Sequence, residues 1–114
     1  MVDRMTPVER FNALINGTKQ DRIAVMPFAT TWTAIPNGVS IGDFYSKLDV
    51  NYRCQKLCQE LFGYEWWPRY SMASVGAWEF GGELKWPYGP GAGAPAILRN
   101  PVQKPEDVDT LQIP

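Results

Sequence analysis

Polar and apolar positions at the start of the chain follow helical spacing. Phe11, Leu14 and Ile15 recur three and four residues apart, behind the segment Thr6-Pro7-Val8-Glu9. Thr6 suits an N-cap and Pro7 the first helical position. Glu9, three residues after Thr6, completes a capping box that satisfies two otherwise orphaned backbone N–H groups. Gly17 fits the stop, so the pattern predicts a helix over 7–16. The next apolar run has no polar alternation. Ile23-Ala24-Val25-Met26-Pro27-Phe28 reads as a strand buried on both faces of a parallel sheet, ending at or near Pro27. Thr30-Thr31-Trp32-Thr33 then forms a polar and aromatic loop at that strand's C-terminal end, the position that faces ligands in α/β architectures.

A second helical region begins near Ser40. After Asp49, a cap candidate, Val50, Cys54, Leu57, Cys58 and Leu61 repeat at three and four residues, and Gly63 supplies a stop, which predicts a helix over 50–62. Cys54 and Cys58 share its apolar face and read as small core hydrophobes. A metal pair lacks further ligands nearby in sequence, and an intrahelical disulfide is disfavoured in a reducing cytoplasm. From Tyr64 the texture turns aromatic. Weak helical character over 72–80 stops at Gly81-Gly82. Glu83-Leu84-Lys85-Trp86 alternates as an exposed-edge strand, and after a turn over 87–95 the stretch Pro95-Ala96-Ile97-Leu98-Arg99 is expected to pair back as a hairpin. Pro105-Glu106-Asp107-Val108-Asp109 reads as a short helical start with acids in its first turn.

Composition narrows the chemistry. The 114 residues give room for one domain, taken as a single partial domain over 1–114. Eleven basic and twelve acidic side chains leave a formal charge of −1, which gives no electrostatic reason to expect nucleic acid or an anionic membrane as partner. No apolar run approaches the roughly 18 residues that span a bilayer. Met1-Val2-Asp3-Arg4-Met5 carries no apolar signal core, so the expected location is the cytoplasm. The chain has no histidine, which removes the commonest general base and metal ligand. Its acids are scattered and read as caps or solvated groups. Gly89-Pro90-Gly91-Ala92-Gly93-Ala94 lacks the lysine and serine or threonine of a phosphate loop and reads as a turn. Trp66, Trp67, Tyr70, Trp78, Trp86 and Tyr88 could stack on a flat ligand, or pack against the rest of a larger fold. No residue stands out as catalytic.

Several short motifs in order resemble the N-terminal portion of the uroporphyrinogen decarboxylase superfamily. They are Met5-Thr6-Pro7-x-Glu9-Arg10-Phe11, Gly17 with Asp21-Arg22-Ile23, Glu79-Phe80-Gly81-Gly82-Glu83, Asn100-Pro101-Val102 and Lys104-Pro105-Glu106-Asp107. The resemblance implies a (β/α)8 TIM barrel with its active site at the C-terminal ends of the strands. A whole barrel takes about 250 residues, so this chain would form its N-terminal part. Decarboxylases of the family hold an anionic tetrapyrrole through R-Q-A-G-R-Y after the first strand and through the aspartate of F-S-D-I. Here Phe28-Ala29-Thr30-Thr31-Trp32-Thr33 has no arginine, and Tyr70-Ser71-Met72-Ala73 puts Met72 at the aspartate position.

The threonine- and tryptophan-containing loop is similar to that of the other branch, methyltransferases of the methylcobalamin:coenzyme M type, which move a methyl group between a corrinoid and a thiol. In a full-length relative of that branch the resemblance implies zinc, a corrinoid, and a small-molecule substrate or corrinoid protein as partner. It implies no zinc ligand or catalytic residue in this chain, which alone would be inactive. Phe28, Thr30, Thr31, Trp32 and Tyr70 would form part of the substrate pocket wall. The alternatives are a uroporphyrinogen decarboxylase of porphyrin biosynthesis and a non-enzymatic binding or dimerisation module. Open barrel edges would favour self-association of the isolated chain.

Overall fold

The computed structural model describes residues 3–65, 67–70 and 72–114. Among the described residues the fold is mixed, with four α-helices and one two-stranded antiparallel sheet. Helix α1 spans Pro7–Ile15, and its capping box forms as the sequence requires. Thr6 Oγ1 accepts from the Glu9 N–H at 3.2 Å while the Glu9 carboxylate accepts from the Thr6 N–H at 2.7 Å. Helix α2 covers Ile41–Ser46 behind the Ser40 cap, and α3 covers Leu48–Phe62, ending where Gly63 takes the left-handed conformation at φ +66°. Helix α4 is the short Val75–Glu79. Strand β1, Glu83–Lys85, pairs with β2, Ala96–Arg99, placing Leu84 opposite Ile97, and a 3-10 turn follows at Pro105–Thr110. Gly82 joins α4 to this hairpin. A Cβ there would stand 2.5 Å from the Ala77 carbonyl oxygen and 2.8 Å from that of Arg99, so the close approach requires glycine.

Two expectations are corrected. Residues 23–28 run extended, but among the described residues they form no strand of a sheet, and Ile23, Val25 and Phe28 are 85%, 54% and 63% exposed. A strand buried on both faces needs neighbours on both edges and layers above and below, and here, among the described residues, its one backbone bond to a distant segment is from the Glu65 N–H to the Val25 carbonyl at 2.9 Å. The buried stripe of α3 also differs. It is Asn51, Cys54, Gln55 and Cys58, whereas Leu57 and Leu61 are 46% and 71% exposed. The amides turn inward because backbone groups await them. Asn51 Nδ2 donates to the Phe44 carbonyl at 3.0 Å, and Gln55 brackets Arg69, accepting from its N–H at 3.1 Å and donating to its carbonyl at 2.9 Å.

The apolar core is small. Ala34, Phe44, Tyr45, Cys54 and Met72 form its centre, and Ala29, Cys58 and Tyr64 form a second group. The molecule is a slab of 57 × 35 × 19 Å with a radius of gyration of 18.3 Å. A compact domain of this length would measure about 13 Å. No helix among the described residues is long and apolar enough to cross a membrane.

An ionic cluster joins the N-terminal half. Arg10, fully buried on α1, donates to both oxygens of Asp21 at 2.7 and 2.9 Å, to the Met5 carbonyl at 2.7 Å, and to the fully buried Glu65. Arg22 reaches Glu65 at 2.7 Å and Asp3 at 3.0 Å. Burial pushes the Glu65 carboxyl up, but Arg22, the Val25 N–H and Arg10 together hold it below its ordinary value. The Arg10 guanidinium holds Asp21 lower still. Because both folded values lie below the ordinary 4.5 and 3.8, the cluster contributes fully above them and its contribution is lost as the pH falls through the folded values. Helical circular dichroism is therefore expected to hold from pH 7 to about pH 5 and to decline below about pH 4. Glu65→Gln, which leaves Arg10 without its buried counter-charge, is expected to lower the helical circular dichroism at pH 7 and to bring its loss to a lower urea concentration.

Candidate functional site

The loop after the extended segment is wound by its own backbone. The Ala29 N–H donates to the Pro27 carbonyl at 2.8 Å and the Thr30 N–H to that of Phe28 at 3.2 Å. The Thr30 carbonyl then accepts from both the N–H and the hydroxyl of Thr33, at 2.9 and 2.6 Å, which starts the 3-10 turn Thr31–Ala34. Thr33 and Ala34 are buried, whereas Trp32 and Phe28 are exposed. Thr30 thus contributes through its backbone, and Trp32 leans away toward Phe62 at the end of α3, with ring centroids 5.8 Å apart.

Two of the five sequence-selected residues, Thr31 and Tyr70, meet a common partner. The Thr31 hydroxyl hydrogen-bonds the Tyr45 hydroxyl at 2.7 Å, and the Tyr70 hydroxyl donates to the Tyr45 carbonyl at 2.6 Å. Tyr45, on α2, therefore stands between them. Phe28 has a different neighbour, the Arg69 guanidinium, which lies 5.3 Å over its ring. Gln55 fixes the Arg69 backbone on both sides, and Asn51 braces Gln55 by accepting from its amide at 2.5 Å. Tyr45 and Arg69 are the members that the sequence analysis missed. The only sequence signal for them is indirect: two amides, Asn51 and Gln55, at i and i+4 on the face that holds Cys54 and Cys58.

The arrangement offers aromatic faces, hydroxyls and a guanidinium, the means to bind and orient a ligand. Burial raises Tyr70, so its phenol is a hydrogen-bond donor at neutral pH. Glu65, fully buried and not solvated as expected of the acids, is neutralised by the two arginines and is no general base. Met72, at the position of the family aspartate, is buried in the core with its sulfur 3.8 Å from the Tyr70 hydroxyl. The flanking Ser71 lies outside the described residues.

Zinc does not fit the thiols of this chain. Cys54 and Cys58 are buried, desolvation pushes both thiols up, and the only other polar neighbours of Cys58 are the Asn37 amide at 3.5 Å and the Thr33 carbonyl at 3.7 Å. Among the described residues such surroundings favour the neutral thiol of a packed core over a metal-binding thiolate. The aromatic residues do not form one platform either. Trp67 packs edge-on against Phe11 at 4.4 Å, Trp78 against Trp86 at 5.2 Å, and Tyr88 covers Gly42 with its hydroxyl 3.2 Å from that of Ser46. Trp66 lies outside the described residues. The glycine-rich stretch 89–94 leads into β2, as a turn does.

No protein-family model matches the chain, and neither a curated protein nor a solved structure does. The family resemblance stands on its sequence motifs alone.

Two outcomes follow from this geometry. Tyr45→Phe removes the bond to Thr31 and is expected to retain helical circular dichroism in buffer but to lose it at a slightly lower urea concentration. Cys54 and Cys58 are expected to react with a thiol-specific disulfide reagent only in denaturant, with two thiols titrating there and almost none in buffer.

Proposed function

We propose that this chain is the N-terminal part of a uroporphyrinogen decarboxylase-family (β/α)8 barrel, of the branch that transfers a methyl group between a corrinoid and a thiol. The observation that supports it best is the state of residues 23–28. An extended, wholly apolar segment presents Ile23, Val25 and Phe28 to solvent just before the threonine- and tryptophan-containing loop. In a barrel, flanking strands would take up its backbone groups and surrounding helices and core layers would cover its side chains. Leu57 and Leu61, outward on α3, fit the same need for further layers.

On this reading the loop 28–33 and Tyr70 line one wall of the pocket, and the chemistry resides in the remainder of the barrel. Zinc would there activate a thiol as thiolate, and the corrinoid would carry the methyl group. The absence of arginine from 28–33 favours the methyltransferase branch over the tetrapyrrole decarboxylases, whose substrate carries several carboxylates on that side.

Sequencing past codon 114 tests the proposal. The frame is expected to continue and to encode a histidine and two cysteines. The zinc-loaded longer protein is then expected to demethylate methylcobalamin when a thiol is supplied, read as the change in corrinoid absorbance. The 114-residue chain alone is expected to show no turnover, and to associate on size exclusion without a sharp calorimetric transition. Zinc-dependent turnover by the short chain, or a monomer with one cooperative transition and no continuing frame, would overturn the reading.

A further inference from the structure

Two asparagines stand directly before a glycine, at 16–17 and at 37–38. In such a pair the glycine nitrogen can close on the side-chain amide carbon, because no Cβ shields it. Closure requires an amide free to swing into reach, and there the two pairs differ. Asn37 is half-buried and tied down. Its Nδ2 donates to the Thr33 carbonyl at 2.8 Å and, across to α3, to the Cys54 carbonyl at 3.4 Å. Asn16, the C-cap of α1, is exposed together with Gly17, Thr18 and Lys19, and its side chain makes no hydrogen bond among the described residues. Gly17 sits at φ +63° with open space where a Cβ would stand. Its N–H donates to the Leu14 carbonyl at 3.2 Å in the last turn of the helix, where fraying frees the nitrogen to approach the amide.

We propose that Asn16 is a site of spontaneous deamidation, while the fold holds Asn37 inert. The Gly17 nitrogen loses its proton to solvent base and bonds to Cγ of Asn16. The Cγ–Nδ2 bond breaks, and ammonia leaves carrying a proton in exchange for the one lost from the glycine nitrogen. The five-membered imide so formed takes up water at either carbonyl and opens to an aspartate or an isoaspartate at position 16. Either product places a new negative charge at the C-terminal end of α1, where the helix dipole opposes it and the last turn has no basic residue to offset it. The isoaspartate also lengthens by one carbon the main chain that brings Asp21 back to Arg10. The inference rests on local contacts of this chain and not on the barrel reading.

Peptide mapping by mass spectrometry tests the site, on the 114-residue chain aged in mildly alkaline buffer with and without concentrated guanidinium chloride. In buffer the mass gain of deamidation is expected at Asn16 at least tenfold faster than at Asn37, with aspartate and isoaspartate forms separating on chromatography. In denaturant the contacts that restrain Asn37 are gone, and the two rates are expected to converge. Asn16→Gln, whose longer side chain cannot close the five-membered ring, is expected to remove the fast site and to leave the rate at Asn37 unchanged. Equal rates in buffer, no mass gain at Asn16, a faster reaction at Asn37, or a difference that persists in denaturant would overturn the inference.

Discussion

Arg10 is fully buried, and the first seventy residues are arranged to neutralise it. Taking a guanidinium out of water costs several kcal/mol unless counter-charges and hydrogen bonds replace the solvent. The replacements come from separate parts of the chain: Asp21 from the loop after α1, the Met5 carbonyl from before it, and Glu65 from beyond α3. Glu65 in turn needs Arg22, and its backbone N–H takes the Val25 carbonyl. One buried charge thereby sets the position of the extended segment against the end of α3. Phe28 lies three residues beyond Val25, and Arg69 lies four beyond Glu65. Their contact over the Phe28 ring follows from the same constraint.

What the sequence made legible is local. The capping box at Thr6 and Glu9, the stop at Gly63 and the hairpin across the glycine-rich turn depend on a few neighbouring residues and occur as expected. The ion pairs do not, because 55 residues separate Arg10 from Glu65 and nothing in spacing or composition links them. The inward face of α3 was misread for a related reason. Leucine periodicity pointed to Leu57 and Leu61, but the competing demand was to satisfy the Phe44 carbonyl and the Arg69 backbone, which only Asn51 and Gln55 could meet. Of the five site residues, the side chains of Thr31 and Tyr70 meet at Tyr45 while Phe28 meets Arg69, and no motif named either partner.

The segment 23–28 shows the limit of pattern reading most directly. Its composition is that of a strand enclosed on both sides, yet enclosure is a property of neighbours, and among the described residues the segment belongs to no sheet and leaves Ile23, Val25 and Phe28 exposed. The slab shape and the small core express the same shortage: too few layers stand on either side of the apolar elements to cover them.

The charge around the site also constrains what it can hold. Residues 28–33 contain no arginine, so that wall carries no cation of its own. Arg69 restores one positive charge from a different segment, placed over Phe28 and anchored by Gln55. The positive charge beside the loop is thus placed by the backbone hydrogen bonds that hold Arg69 and by the Phe28 ring, while residues 28–33 contribute only neutral groups to that wall.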